Sequence, residues 1–288
     1  MKRARVVVVG AGVVGLSTAV CIAETLPLCS VTVVAEKFSP DTTSDGAAGI
    51  LISEFFPDIP LARQRQWFKD SFDHLFAIVQ SESSPEAGVM LSSGCQIFPE
   101  VPADTKPYWS DFVIGFRLMT DRELKRFPNH KFGQAFTTIK CECSSYLLWL
   151  EKRFRKAGGL VQQRKVNSLE ELSISYDIIV NCSGLGSKSL VGDAELDEGD
   201  TESVLQRCTR LEPSLSQAKV LCEWVGLRPG RRSPRVEREL VQLRGCRVPM
   251  VHNYGHGGSG ITLSWGTALE AVGLVRQCLH EMPLKSNL

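Results

Sequence analysis

Arg5-Val6-Val7-Val8-Val9-Gly10-Ala11-Gly12-Val13-Val14-Gly15 runs a block of β-branched residues straight into a Gly-x-Gly-x-x-Gly turn. The residues that follow, through Ala19 and Ala23, carry a helical pattern. A strand, a glycine turn and a helix in that order form a cradle for a pyrophosphate. Gly10 turns the chain, Gly12 lets the backbone approach the phosphates, and Gly15 lets helix and strand pack closely. The helix start then offers unpaired N–H groups and the positive end of its dipole to the anion. A second apolar run, Ser30-Val31-Thr32-Val33-Val34-Ala35, delivers Glu36 where a carboxylate can accept hydrogen bonds from ribose hydroxyls. A carboxylate there favours FAD or NAD over NADP, because it repels a 2′-phosphate. Met1-Lys2-Arg3-Ala4-Arg5 ahead of an apolar run also has the form of a secretory leader. The spaced glycines interrupt that apolar run, however, and a leader leaves Glu36 unexplained.

At 288 residues and 43% hydrophobic, the chain can bury a large core, and two intertwined lobes are expected. A formal net charge of +1 gives no reason to expect nucleic acid or a membrane surface as partner. No uninterrupted apolar run reaches the length of a membrane span. The ten cysteines are scattered without a Cys-x-x-Cys pair, and Cys141-Glu142-Cys143 is too tight for zinc. Reduced, structural thiols and no metal site are the expectation. The final Ser286-Asn287-Leu288, after Lys285, has the form of a peroxisomal import address. It predicts an import receptor as partner and the peroxisome matrix as location.

Periodicity predicts a helix over 61–80 with Trp67, Phe68, Phe72, Leu75 and Phe76 facing the core. A strand over 88–99 and a short helix over 121–127 follow. Ser144 and Ser145 read as the cap of a helix that stops at Gly158-Gly159. Residues 159–166 and 176–184 read as strands, the second ending in Asn181-Cys182-Ser183-Gly184. That small-residue end either meets the dinucleotide or is an ordinary strand-to-loop turn. Residues 192–201 read as a solvated linker, and a last helix is expected from about 267 to 282.

Set together, several motifs resemble the D-amino-acid oxidase family. They are Gly10-Ala-Gly-Val-Val-Gly15-Leu-Ser-Thr-Ala19, Phe38-x-Pro-x-Thr-Thr-x-Asp45-x-Ala-Ala-Gly49 and Phe132-Gly-Gln-Ala-Phe-Thr-Thr138. Ile179-Val-Asn-Cys-Ser-Gly-Leu-Gly-Ser187, Gly226-Leu-Arg-Pro229, His252-Asn-Tyr-Gly-His-Gly257 and Trp265-Gly-x-Ala-Leu-Glu-Ala271 complete the set. The resemblance covers residues 1–193 and roughly 197–288. It implies an α/β fold in which an FAD-binding Rossmann-like domain is interleaved with an α+β substrate domain, here truncated. On that plan residues 1–55, 158–193 and 225–288 belong to the FAD-binding part. Residues 56–157 supply a substrate-domain segment and helices, and 194–224 a truncated remnant.

The implied activity is oxidation of an acidic D-amino acid, of the D-aspartate, D-glutamate or N-methyl-D-aspartate class. Hydride passes directly from Cα to the flavin, so no catalytic side chain is required. Oxygen then takes the electrons as hydrogen peroxide, and the imine hydrolyses to a 2-oxo acid and ammonia. Carried over residue by residue, Gly10, Gly12 and Gly15 hold the pyrophosphate, with Glu36 and Lys37 at the adenosine. Thr42, Thr43 and Ser44 contact phosphates, while Ala48, Gly49 and Ile50 pass beside the flavin. Val166 and Ser183 flank the adenine side. Gly257, Gly258, Ser259, Gly260, Ile261 and Thr262 form the turn at the flavin, with Thr262 donating to its pyrimidine oxygen. Arg228, with Gly258 and Ser259, takes the substrate, its guanidinium gripping the α-carboxylate through two parallel hydrogen bonds. An exposed arginine in a basic loop is the plainer reading, since Arg231, Arg232, Arg235 and Arg238 follow. His252 and His256 read as structural.

The sequence departs from the family in one block. A Pro-x-Arg-Gly-Gln segment, a tyrosine that meets the carboxylate and a Gly-Gly-Thr turn have no counterpart. About fifty residues are missing near 193–201, enough for several strands and their turns. Their loss is expected to expose sheet edges and an apolar face. Ser53 stands where a proline is expected, and Gly257-Gly258-Ser259 replaces Gly-Ser-Gly. Besides an oxidase, a splice form or incomplete gene model that at most binds FAD fits such a gap.

Overall fold

In the computed structural model, residues 3–193, 197–198, 208–209, 211–219 and 228–281 are described. The import-type tail at 286–288, most of 194–224, and Gly226 and Leu227 lie outside the described residues.

The valine run forms strand β1 (Ala4–Val9), and the helical pattern after the glycines forms α1 (Val13–Thr25). Strand β2 (Cys29–Ala35) returns parallel to β1, pairing Ala4 with Cys29 through Val9 with Val34. Helix α2 (Leu61–Val79) follows, then strands β3 (Val89–Phe98), β4 (Ile114–Leu118) and β5 (Phe132–Cys141). Helix α3 (Cys143–Lys156) leads to β6 (Leu160–Gln163) and β7 (Ile178–Asn181). Strands β8 (Asp197–Glu198), β9 (Pro229–Leu243) and β10 (Cys246–His256) precede helix α4 (Gly260–Glu281).

The large sheet has the order β6-β2-β1-β7-β10-β9-β8. It is parallel from β6 to β10 and antiparallel at β9 and β8. Alternation along β1 explains why it lies at the centre. Val6 and Val8 join the larger core with α1, α2, α3 and α4, while Val7 and Val9 face a second cluster with Val34, Leu169, Leu172, Ile179 and Met250. A strand covered on both faces needs continuous apolar sequence, and this one has it. The chain crosses to opposite sides of β1 to form β2 and β7, so the C-terminal ends of these strands open a crevice of the kind that holds ligands.

A second sheet, β3-β5-β4, is antiparallel. Trp67, Phe68, Phe72 and Leu75 of α2 are buried as expected. Three local readings need correction. Helix α4 begins at Gly260 rather than near 267, so the glycine turn is itself the helix start. The residue preceding α3 is Glu142, and it makes no side-chain cap, so Ser144 and Ser145 lie inside the helix. Asp197 and Glu198, read as part of a solvated linker, pair with Gly230 and Pro229 as β8.

Candidate functional site

The crevice gathers the ends of β1, β2 and β7, the 38–50 loop and the turn before α4. Gly10 sits at φ +111°, and a Cβ there would lie 2.3 Å from the Cys182 carbonyl oxygen at the end of β7. A Cβ at Gly15 would lie 2.1 Å from the Gly10 carbonyl oxygen. The two glycines thus bring β1, α1 and the end of β7 into backbone contact. Gly12 is the N-cap of α1, makes no side-chain cap bond, and is followed by no acidic residue in the first turn. The first turn of α1 therefore brings no carboxylate of its own to the positive end of the helix, which suits a pyrophosphate. Val13 N–H donates to Ser44 Oγ at 3.0 Å, which sets the Thr42-Thr43-Ser44 loop over this helix start. Asp45 stiffens the loop, accepting from Thr42 N–H at 2.9 Å, Thr42 Oγ1 at 2.6 Å and Ser39 Oγ at 2.5 Å.

Glu36 and Lys37 are exposed just past β2, and Lys165 Nζ lies 3.6 Å from Glu36 Oε2. Val166 packs on the second cluster beyond β6. Ser183 donates to Asn181 Oδ1 at 2.7 Å, holding the end of β7 in a tight turn. Ala48, Gly49 and Ile50 run beside β5: Cys141 N–H donates to Gly49 O at 2.8 Å, and Leu51 N–H donates to Ile139 O at 3.0 Å.

The other end of the crevice is built where 52–54 meets the α4 turn. Thr262 Oγ1 donates to Ile52 O at 2.8 Å, Glu54 N–H donates to Ser259 Oγ at 3.3 Å, and Trp109 Nε1 donates to Ser53 O at 3.0 Å. The Thr262 hydroxyl, expected to face a flavin oxygen, is thus committed to Ile52. A Cβ placed on Gly258 would meet Glu54 Oε1 at 2.9 Å and Arg228 Nη1 at 3.6 Å. Arg228, Gly258 and Ser259 therefore come together as expected, and Glu54, which no motif marks, stands among them. Arg228 precedes β9 and is exposed, and its guanidinium has no partner among the described residues. The arginines after it are not a basic loop. They lie on β9, with Arg232 on Asp58, Arg235 on Glu237 and Arg238 on Glu281.

His252 and His256 are buried on β10. His252 Nε2 lies 2.7 Å from Glu239 Oε1, and His256 Nε2 lies 3.1 Å from Thr267 Oγ1. Burial pushes the His256 imidazole down to about 4 and lowers His252 as well, against the pull of Glu239.

The FAD dependent oxidoreductase family profile, DAO, matches residues 5–198 and 191–274. The chain belongs to this family of FAD-dependent oxidoreductases. It is 47% identical to the D-aspartate oxidase of Homo sapiens, with all of both chains covered. It is 34% identical to the D-amino-acid oxidase of Rubrobacter xylanophilus, over 96% of this chain and 97% of that one. The glycine oxidase structure from Geobacillus kaustophilus shares its fold, with a TM-score of 0.69 at 17% identity, covering 96% of this chain and 95% of that one. The pairing with the human protein takes 341 positions against the 288 residues of this oxidoreductase. The family match breaks into two pieces that meet at 191–198, where the block was expected to be missing.

Proposed function

We propose that this oxidoreductase oxidises D-amino acids, with D-aspartate and related acidic substrates as the class suggested by its 47% identity to a D-aspartate oxidase. The observation that carries the substrate reading is Arg228: an exposed guanidinium beside Gly258 and Ser259, with no partner among the described residues. A planar fork of donors grips an α-carboxylate at two points, which fixes orientation as well as position. FAD, when bound, would supply the redox chemistry, a two-electron oxidation of the substrate at Cα with oxygen as the final acceptor. Around it, Gly10, Gly12, Gly15 and the Thr42–Ser44 loop would hold the pyrophosphate, with Glu36, Lys37, Val166 and Ser183 on the adenosine side. Ala48, Gly49, Ile50 and the 257–262 turn would line the flavin. The Thr262 N–H, in the first turn of α4, is the donor we assign to the ring, since its hydroxyl serves Ile52. We assign 1–55, 158–193 and 225–288 to the cofactor half and 56–157 with 194–224 to the substrate half. The Ser286-Asn287-Leu288 ending is the basis for proposing import into peroxisomes through the receptor that reads such tails.

Peroxide release from D-aspartate and D-alanine, with Arg228→Ala as control, tests this reading. We expect turnover with both substrates and a loss of kcat/KM of at least about a hundredfold in the variant, as expected when a charged bidentate partner is removed. Bound flavin without turnover selects instead a shortened form that holds FAD alone. Absence of flavin absorbance in the purified protein refutes the cofactor site.

A further inference from the structure

We infer that Glu54 is a specificity residue that disfavours a second carboxylate on the substrate and favours a cationic side chain. The inference rests on the D-amino-acid oxidase reading and departs from the acidic substrate class suggested by the 47% identity. Glu54 Oε1 and Arg228 Nη1 flank one point, the Cβ position of Gly258, at 2.9 Å and 3.6 Å. Among the described residues neither charged group has an ion-pair partner. An acid and a base that converge on the same glycine without pairing each other leave both charges available to a third group.

Glu54 is also held in place from its own backbone. Its N–H is bonded to Ser259 Oγ, Ile52 before it is bonded by Thr262, and the Ser53 carbonyl accepts from the Trp109 indole. The segment is tied at three points, two of them at the start of α4 and one on Trp109, so the carboxylate projects from a fixed point beside Arg228. When Arg228 holds an α-carboxylate, the remainder of the substrate extends from that point into the field of Glu54. A second carboxylate there is repelled, a cationic side chain is attracted, and an uncharged one is affected least. The α-ammonium group is common to all D-amino acids and cancels in the comparison.

Glu54→Gln keeps the shape and removes the charge. We expect kcat/KM to rise about tenfold for D-aspartate and to fall about tenfold for D-arginine, a change of one close charge contact in each direction. D-alanine is expected to change by less than about threefold, because only the common head group is involved. A merely structural Glu54 moves all three in the same direction, and that result overturns the inference. Malonate binding to the FAD-loaded protein, followed by calorimetry, reads the same effect without turnover. Its Kd is expected to tighten about tenfold in Glu54→Gln, and an unchanged Kd overturns the inference. Arg228→Ala separates the two levels. If it abolishes malonate binding while Glu54→Gln changes nothing, only the role of Glu54 falls. If it leaves malonate binding intact, the assignment of the substrate site falls, and the inference with it.

Discussion

Gly10 shows how much of the cofactor crevice hangs on a missing side chain. At φ +111°, with the Cys182 carbonyl oxygen 2.3 Å from where a Cβ would be, alanine is both conformationally strained and in collision with backbone. Gly10→Ala is therefore expected to cost about 3 kcal/mol or more, from left-handed strain together with overpacking. Thermal unfolding of apoprotein and flavin retention on a sizing column measure it. A variant that keeps both refutes the close packing of β1 on β7. His256 sets a pH limit at the same scale. Its imidazole is buried with its titration near 4, whereas an unfolded imidazole titrates near 6.5. Between those values the unfolded chain binds a proton that the folded chain excludes, so stability falls as pH drops from about 6.5 towards 4. The loss approaches about 3 kcal/mol at the lower end, and half-buried His74, pushed down to about 3, adds with the same sign. Urea midpoints at pH 7 and pH 5 should differ accordingly, and His256→Gln should reduce the difference, leaving the part that His74 supplies. A pH-independent midpoint would mean that His256 is accessible to protons in the folded state.

At the scale of elements, the α2–α4 contact explains why the glycine turn is held so firmly against its surroundings. Glu270 on α4 accepts from Trp67 Nε1 at 2.6 Å and from Arg63 through Nε and Nη2, so one carboxylate ties two successive turns of α2. Glu270→Ala leaves the indole N–H and the guanidinium without that acceptor, and a cost of about 2 kcal/mol is expected from losing charged hydrogen bonds at a partly buried site. Equilibrium denaturation checks it, and a change under about 0.5 kcal/mol, the range of ordinary surface substitutions, would place the contact in the solvated class. Glu270 and Trp67 also show what sequence reading could reach. The apolar stripe of α2 and the β1-turn-α1 unit were legible because their signals are periodic and local. Strand β9 was not, because its alternation is masked by arginines. Ser233 and Val236 are buried, while Arg232 and Arg238 reach out to Asp58 and Glu281 elsewhere in the fold and Arg235 pairs along the strand with Glu237. Glu54 was illegible for a related reason: its place depends on Ser259 and Thr262, more than two hundred positions away along the chain.

For the whole molecule, the open surface that matters is that of the small sheet. With β5 central, β3 and β4 are both edges among the described residues, and they leave Met90, Leu91, Ile114 and Leu118 between 42% and 51% exposed. Residue identity explains why this is a hazard. These are large apolar side chains on open strands, each strand with a row of unpaired backbone groups, and that combination templates further pairing. In the large sheet β1, β2 and β7 are flanked on both sides, and the crevice lies at their ends, so cofactor binding and sheet-edge association are separate properties of one chain. FAD binding to the folded state would raise its stability in proportion to the logarithm of ligand concentration, but none of the residues assigned to FAD lies on β4. The holoprotein is therefore expected to associate through the small sheet even when saturated with flavin. Ile114→Lys with Leu118→Lys places charges on that edge, the device natural edge strands use. The double variant should remain monomeric in light scattering at concentrations where the parent chain grows, with its flavin content unchanged. Equal growth of parent and variant would show that the association runs through some other surface, and loss of flavin in the variant would show that the two sheets are coupled after all.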